Sequence, residues 1–106
     1  MSNINRDQLK QMMDQNAATV VEVLSASDYT KFHLPTAINI PLQDDFDDQV
    51  VKVLPDKDQP VVLYCMDEDC PASAEAESRM EALGYSHVYH YKGGKTEWKK
   101  SGMPTQ

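Results

Sequence analysis

The sequence predicts an α/β fold in which a largely parallel sheet carries helices on both faces, and three observations lead there. Short β-branched or apolar runs (Val20 to Leu24, Ala37 to Ile40, Val61 to Tyr64, Val88 to Tyr91) alternate with stretches of helical periodicity. Val61-Val62-Leu63-Tyr64 is apolar at every position, as a strand covered on both faces requires. That strand then passes through a short polar loop into a run with a helical stripe, and in such folds the ligand site lies outside the strands' carboxyl ends.

The elements follow in order. Asn5 with Gln8 three residues on forms a capping box for a first helix, whose stripe is Leu9, Met12 and Met13. Val20 to Leu24 is read as the first strand, Ser27-Asp28-Tyr29 as the start of a short helical turn, and Ala37 to Ile40 as a second strand closed by Pro41. In Asp44 to Leu54, Phe46, Val50, Val53 and Leu54 share a helix face. Asp44, Asp45, Asp47 and Asp48 crowd its first turn, where the macrodipole favours acids, so this cluster is read as structure and not as a metal site. Val61 to Tyr64 is the central strand, and Ala72, Ala76, Met80 and Leu83 mark the face of the next helix, ended by Gly84. Val88 to Tyr91 is the last strand, and Gly93-Gly94 turns the chain into a short helix holding Trp98, read as a core plug.

A chain of 106 residues is expected to form one domain, 1–106, with a core large enough to need no disulfide or metal staple. Ten basic against seventeen acidic residues give a net charge of −7, which argues against nucleic acid or anionic membrane as a partner. Met-Ser-Asn-Ile-Asn-Arg at the amino terminus does not look like a signal peptide, and no segment is apolar for long enough to span a bilayer. The two cysteines are therefore expected to be reduced thiols in a cytoplasmic protein.

Cys65 ends the central strand where the chain turns, a place that displays a side chain. The loop Met66-Asp67-Glu68-Asp69-Cys70 before Pro71 can curl so that its N–H groups and the positive end of the next helix converge on an anion, and a thiolate is such an anion. Taken alone, the segment also admits a plainer reading, in which Cys65 is a small apolar residue closing a core strand.

Five pieces in order then bear on the choice: Val21-Glu22-Val23; His33-Leu34-Pro35-Thr36-Ala37-Ile38-Asn39-Ile40-Pro41-Leu42; Tyr64-Cys65 with its loop; Leu83-Gly84-Tyr85; and Tyr91-Lys92-Gly93-Gly94-Lys95-Thr96-Glu97-Trp98 with Gly102-Met103-Pro104. From Leu9 to Pro104 the chain resembles a single-domain rhodanese, a sulfurtransferase family whose loop cysteine carries a transferable sulfur as a persulfide. The resemblance implies a rhodanese-like fold and sulfane sulfur transfer through Cys65, which takes the outer sulfur of a donor and passes it to a thiophilic acceptor. It implies that Met66, Asp67, Glu68, Asp69 and Cys70 cradle the persulfide through backbone N–H groups. Ser73 matches a serine many members carry, either bonding within the loop or simply entering the helix. Small thiols or a protein persulfide carrier are the implied partners; no cofactor or metal is implied, the oligomeric state is not specified, and a monomer is the default.

The departures from the family pattern are informative. Leu24 stands where members commonly have arginine, removing a polar anchor, and Met66 to Ser73 contains no basic residue. Cys65 to Ser73 is two residues longer than usual, in the form Cys-x-x-x-x-Cys-x-x-Ser seen in a subset of members. Asp67, Glu68 and Asp69 disfavour an incoming anion and oppose thiolate formation, so thiosulfate is expected to be a poor donor. Cys70 is open to three readings: a cap substitute before Pro71, a resolving thiol for Cys65, or, weakest, a metal ligand. His33 is read as structural within its turn, and His87 and His90 as surface or packing residues flanking a strand. A cysteine phosphatase would need an arginine in the loop, and Arg6 and Arg79 lie elsewhere. The alternative to an enzyme is a rhodanese-like module for protein binding or redox sensing through Cys65 and Cys70.

Overall fold

The computed structural model describes residues 2–106. Its elements are β1 (Ser2–Ile4), α1 (Arg6–Asp14), β2 (Thr19–Glu22), α2 (Ala26–Lys31), β3 (Ile38–Asn39), α3 (Phe46–Val53), β4 (Val61–Tyr64), α4 (Ala72–Ala82), β5 (Val88–Tyr91) and α5 (Gly94–Lys100). The strands form one sheet in the order β1-β5-β4-β2-β3, and every pairing is parallel. Parallel neighbours need crossover connections, and the helices supply them.

Two apolar clusters sandwich the sheet. Val21, Leu63 and Val88 point to one side, onto Phe46 and Val50 of α3 and Ala76 and Met80 of α4. Val20, Val62, Tyr64 and Tyr91 point to the other, onto Leu9 of α1 and Trp98 of α5. Val61, Val62, Leu63 and Tyr64 are all fully buried, which is why this strand shows no alternation.

Most local readings hold. Asn5 and Gln8 form the reciprocal capping box, and Trp98 is fully buried. Three differ. The polar Ser2-Asn3-Ile4 is a strand on the sheet edge, held by pairing with Tyr89, His90 and Tyr91 across the molecule rather than by any local signal. On α3, Phe46, Val50 and Leu54 are buried, but Val53 falls at the rim and is 46% exposed. Of the acid cluster, Asp47 binds Arg79 Nε at 2.9 Å, tying α3 to α4, and Asp47 and Asp48 lie in the first turn of α3.

Candidate active site

β4, in the middle of the sheet, delivers Cys65 to the carboxyl edge, and the loop from Met66 to Pro71 leads into α4. Cys65 is not displayed: it is 1% exposed, because the loop folds back over its sulfur. The carbonyl oxygens of Cys70 (3.5 Å) and Asp67 (4.0 Å) and the hydroxyl of Ser73 (3.3 Å) surround Sγ. The sulfur is joined to that of Cys70 as a disulfide, with the two Cα atoms 6.5 Å apart. The expectation of two free thiols is thus corrected, since the curled loop brings the Cα atoms within disulfide range. Cys70 is not the helix cap either; Pro71 holds that position.

Of the other loop residues, Met66 and Asp67 are half-buried, while Glu68 and Asp69 are exposed. Asp67 organises the turn, accepting from Asp69 N through Oδ1 (3.1 Å) and from Cys70 N through its carbonyl (3.2 Å). In this oxidised form those two N–H groups therefore serve the turn and not the sulfur. Carbonyl dipoles facing Sγ suit a neutral disulfide.

The far side of the loop is held by α5. Lys95 N donates to Cys65 O (3.0 Å) and Thr96 N to Met66 O (2.9 Å). Gly94 makes this approach possible: a Cβ there would stand 2.6 Å from Met66 O and 2.7 Å from Asp67 N. A shallow pocket of about 300 Å³ runs alongside, lined by Asp67, Glu68, Gly93, Thr96, Glu97 and Lys100, with Cys65 beneath the loop.

Two buried polar groups escape local sequence reasoning. Lys95, fully buried, places Nζ 3.1 Å from Glu22 Oε2 and donates to the carbonyls of Asp28 (2.8 Å) and Phe32 (2.9 Å). Tyr64 donates to Glu22 Oε1 at 2.8 Å, and burial pushes its phenol well above the usual range. Leu24, where a polar anchor is absent, packs against the core. The second group is His90, read as a surface or packing residue. Its Nε2 lies 2.6 Å from Ser73 Oγ, and Nδ1 faces Glu77 Oε1 at 4.0 Å. Burial, followed by the charge of Lys92, lowers its pKa below the ordinary histidine value. One signal was present: His90 alternates with Val88, and residues two apart on a strand share a face. His33 is structural as expected, stacked on Tyr29. Among the described residues no cluster of three or more His, Cys, Asp or Glu side chains could hold a metal ion.

Residues 5–101 match the model of the rhodanese-like domain. The chain belongs to that family. The fold agrees: the rhodanese-like domain of the Alr3790 protein from Anabaena superposes with a TM-score of 0.86 at 25% identity, covering 100% of this chain and 79% of that one. A rhodanese with anions from E. coli gives 0.69 at 29% identity, covering 85% and 98%. Among curated relatives, the HTH-type transcriptional regulator Rv0324 of Mycobacterium tuberculosis is 29% identical over 95% of this chain and 43% of its own length. A tRNA uridine(34) hydroxylase of Yersinia pestis is 28% identical over 95% and 30%. The chain thus spans about half the length of the curated relatives it matches, or less, and two of these are named for different activities. No described helix is long and apolar enough to cross a membrane.

Proposed function

We propose that this rhodanese-like chain is a sulfurtransferase that carries sulfane sulfur as a persulfide on Cys65. The observation that carries the reading is the placement of Cys65 Sγ at the carboxyl end of the central strand, in contact with Ser73 and within bonding reach of Cys70. The Cys65 thiolate attacks the outer sulfur of a donor persulfide; a new S–S bond forms, the donor's own breaks, and the donor leaves as a thiolate. A small thiol or a protein persulfide carrier fits as donor better than thiosulfate, because the loop and the pocket beside it present Asp67, Glu68 and Glu97 against Lys100 alone.

The disulfide favours a second step. With no thiophilic acceptor present, Cys70 attacks Cys65 Sγ of the persulfide, the Cys65–Cys70 bond forms, and the outer sulfur departs as hydrosulfide. A thiol reductant then restores both thiols. Redox sensing without sulfur transfer is the competing reading, and intact mass separates the two. Reduced Cys70→Ser treated with a small-molecule persulfide is expected to gain one sulfur, mapped to Cys65, and wild type to release hydrosulfide and lose two hydrogens. Disulfide formation in wild type with no sulfur uptake by Cys70→Ser would leave the sensing reading standing.

A further inference from the structure

Cys65 lies just past β4, Ser73 on α4 and His90 on β5, yet their side chains form one hydrogen-bonded file. Ser73 Oγ stands 3.3 Å from Cys65 Sγ and 2.6 Å from His90 Nε2. Glu77, one turn beyond Ser73 on the same face of α4, extends the file with Oε1 4.0 Å from His90 Nδ1. All four residues are buried, His90 the least so at 8% exposure, so water does not compete for these contacts. None of this is needed to close a disulfide, and the file ends on the sulfur.

We propose that His90 is a positioning residue for the Cys65 thiolate, acting through Ser73 Oγ to take up the proton that leaves Sγ. The proposal rests on the sulfur-transfer reading. In the thiol form Cys65 S–H donates to Ser73 Oγ and the Ser73 hydroxyl donates to Nε2. Ionisation moves two protons by one place each: the Sγ proton to Oγ, and the Ser73 proton to Nε2. The imidazolium then donates to Ser73 and Ser73 donates to the thiolate. Ser73 keeps a hydroxyl throughout and nothing is oxidised or reduced. When the thiolate takes sulfur from a persulfide R–S–SH, R–S⁻ leaves, and the proton held on His90 matches the one R–S⁻ takes up. The sum is Cys65–SH with R–S–SH giving Cys65–S–SH with R–SH.

The groups facing His90 suit this task. Glu77 on α4 favours the imidazolium once it forms. Burial and Lys92, beyond the end of β5, keep the resting ring neutral and able to accept. The register neighbours of His90, Leu63 on β4 and Asn3 on β1, carry no charge. The plainer account, that a buried hydroxyl and a buried imidazole merely satisfy one another, leaves thiol ionisation untouched.

The test follows the ionisation of Cys65. Cys70→Ser leaves Cys65 as the chain's one cysteine, so thiolate ultraviolet absorbance reports it alone, with Cys65→Ala/Cys70→Ser as the tyrosine background. Adding His90→Asn is expected to move the titration up by about one unit, leaving about tenfold less thiolate at neutral pH. Ser73→Ala is expected to do the same, and Ser73→Ala with His90→Asn to go no further than Ser73→Ala alone. An unmoved titration in folded His90→Asn, or a further shift in the combined variant, overturns the proposal. If His90→Asn does not fold, nitrogen NMR of the His90 ring in Cys70→Ser decides. Nε2 is expected to keep its proton to higher pH in Cys70→Ser than in Cys65→Ala/Cys70→Ser, because the thiolate stabilises the imidazolium, and a His90 titration indifferent to Cys65→Ala overturns the file. Persulfide uptake by Cys70→Ser, read by intact mass, is separate: uptake with an unmoved titration sinks this proposal alone, and no uptake sinks the sulfur-transfer reading.

Discussion

Lys95 and Glu22, seventy-three residues apart in sequence, meet at 3.1 Å as a fully buried ion pair, and the backbone N–H of the same lysine holds the carbonyl of Cys65. The pair therefore joins β2, α5 and the cysteine loop. Removing one partner leaves the other charge buried without compensation. Lys95→Met is expected to cost about 3–5 kcal/mol, and Lys95→Met with Glu22→Gln less than the sum of the two single changes. Urea unfolding midpoints at unchanged m check both. Additive losses would mean that the pair is not energetically coupled.

Gly94 and Gly102 both adopt left-handed backbone, at φ 71° and 78°, but only Gly94 is crowded. Alanine at either position costs about 1–2 kcal/mol for the conformation alone. Gly94→Ala must also push Met66 and Asp67 away, whereas nothing lies within 4 Å of a Cβ at Gly102. Gly94→Ala is expected to be the more destabilising and to change the rate of Cys65–Cys70 oxidation, with Gly102→Ala leaving that rate as it is. Equal losses and equal rates would show that the loop does not depend on this approach.

The acidic loop makes a prediction about donors. Changing Asp67, Glu68 and Asp69 to their amides is expected to raise kcat/KM for thiosulfate on the order of tenfold at low salt, with the gain shrinking as salt screens it. Steady-state rates across a salt series decide it. A gain that ignores salt, or no gain, would place the barrier to thiosulfate elsewhere.

Stability against pH follows from His90. Its folded pKa lies below the ordinary value of about 6.5, so the unfolded chain binds the proton more readily. Stability rises with pH between the folded value and about 6.5; above that window this penalty is absent, and below it the full penalty applies. In the oxidised protein, where Cys65 does not titrate, His90→Asn is expected to flatten this part of the curve measured by urea unfolding. A slope unchanged by the substitution would assign it to other groups.

The sequence by itself determined what depends on neighbours along the chain. The Asn5 and Gln8 capping box, the all-apolar run Val61 to Tyr64, the Ala76 and Met80 face of α4 and the turn at Gly93-Gly94 are local, because caps and periodicity are properties of a few consecutive residues. With the spacing of the motifs they were enough to place Cys65 at the edge of a parallel sheet in this family. Tertiary structure decided which side chains meet. The edge strand Ser2–Ile4 is held by its pairing with β5, and Cys65 is buried because its loop folds back over the sulfur while α5 holds the carbonyls of Cys65 and Met66. Lys95 finds Glu22, and His90 finds Ser73, only once α5 and α4 are docked on the sheet. Burial without water is what requires those polar groups to pair, and that requirement arises only after the layers have closed.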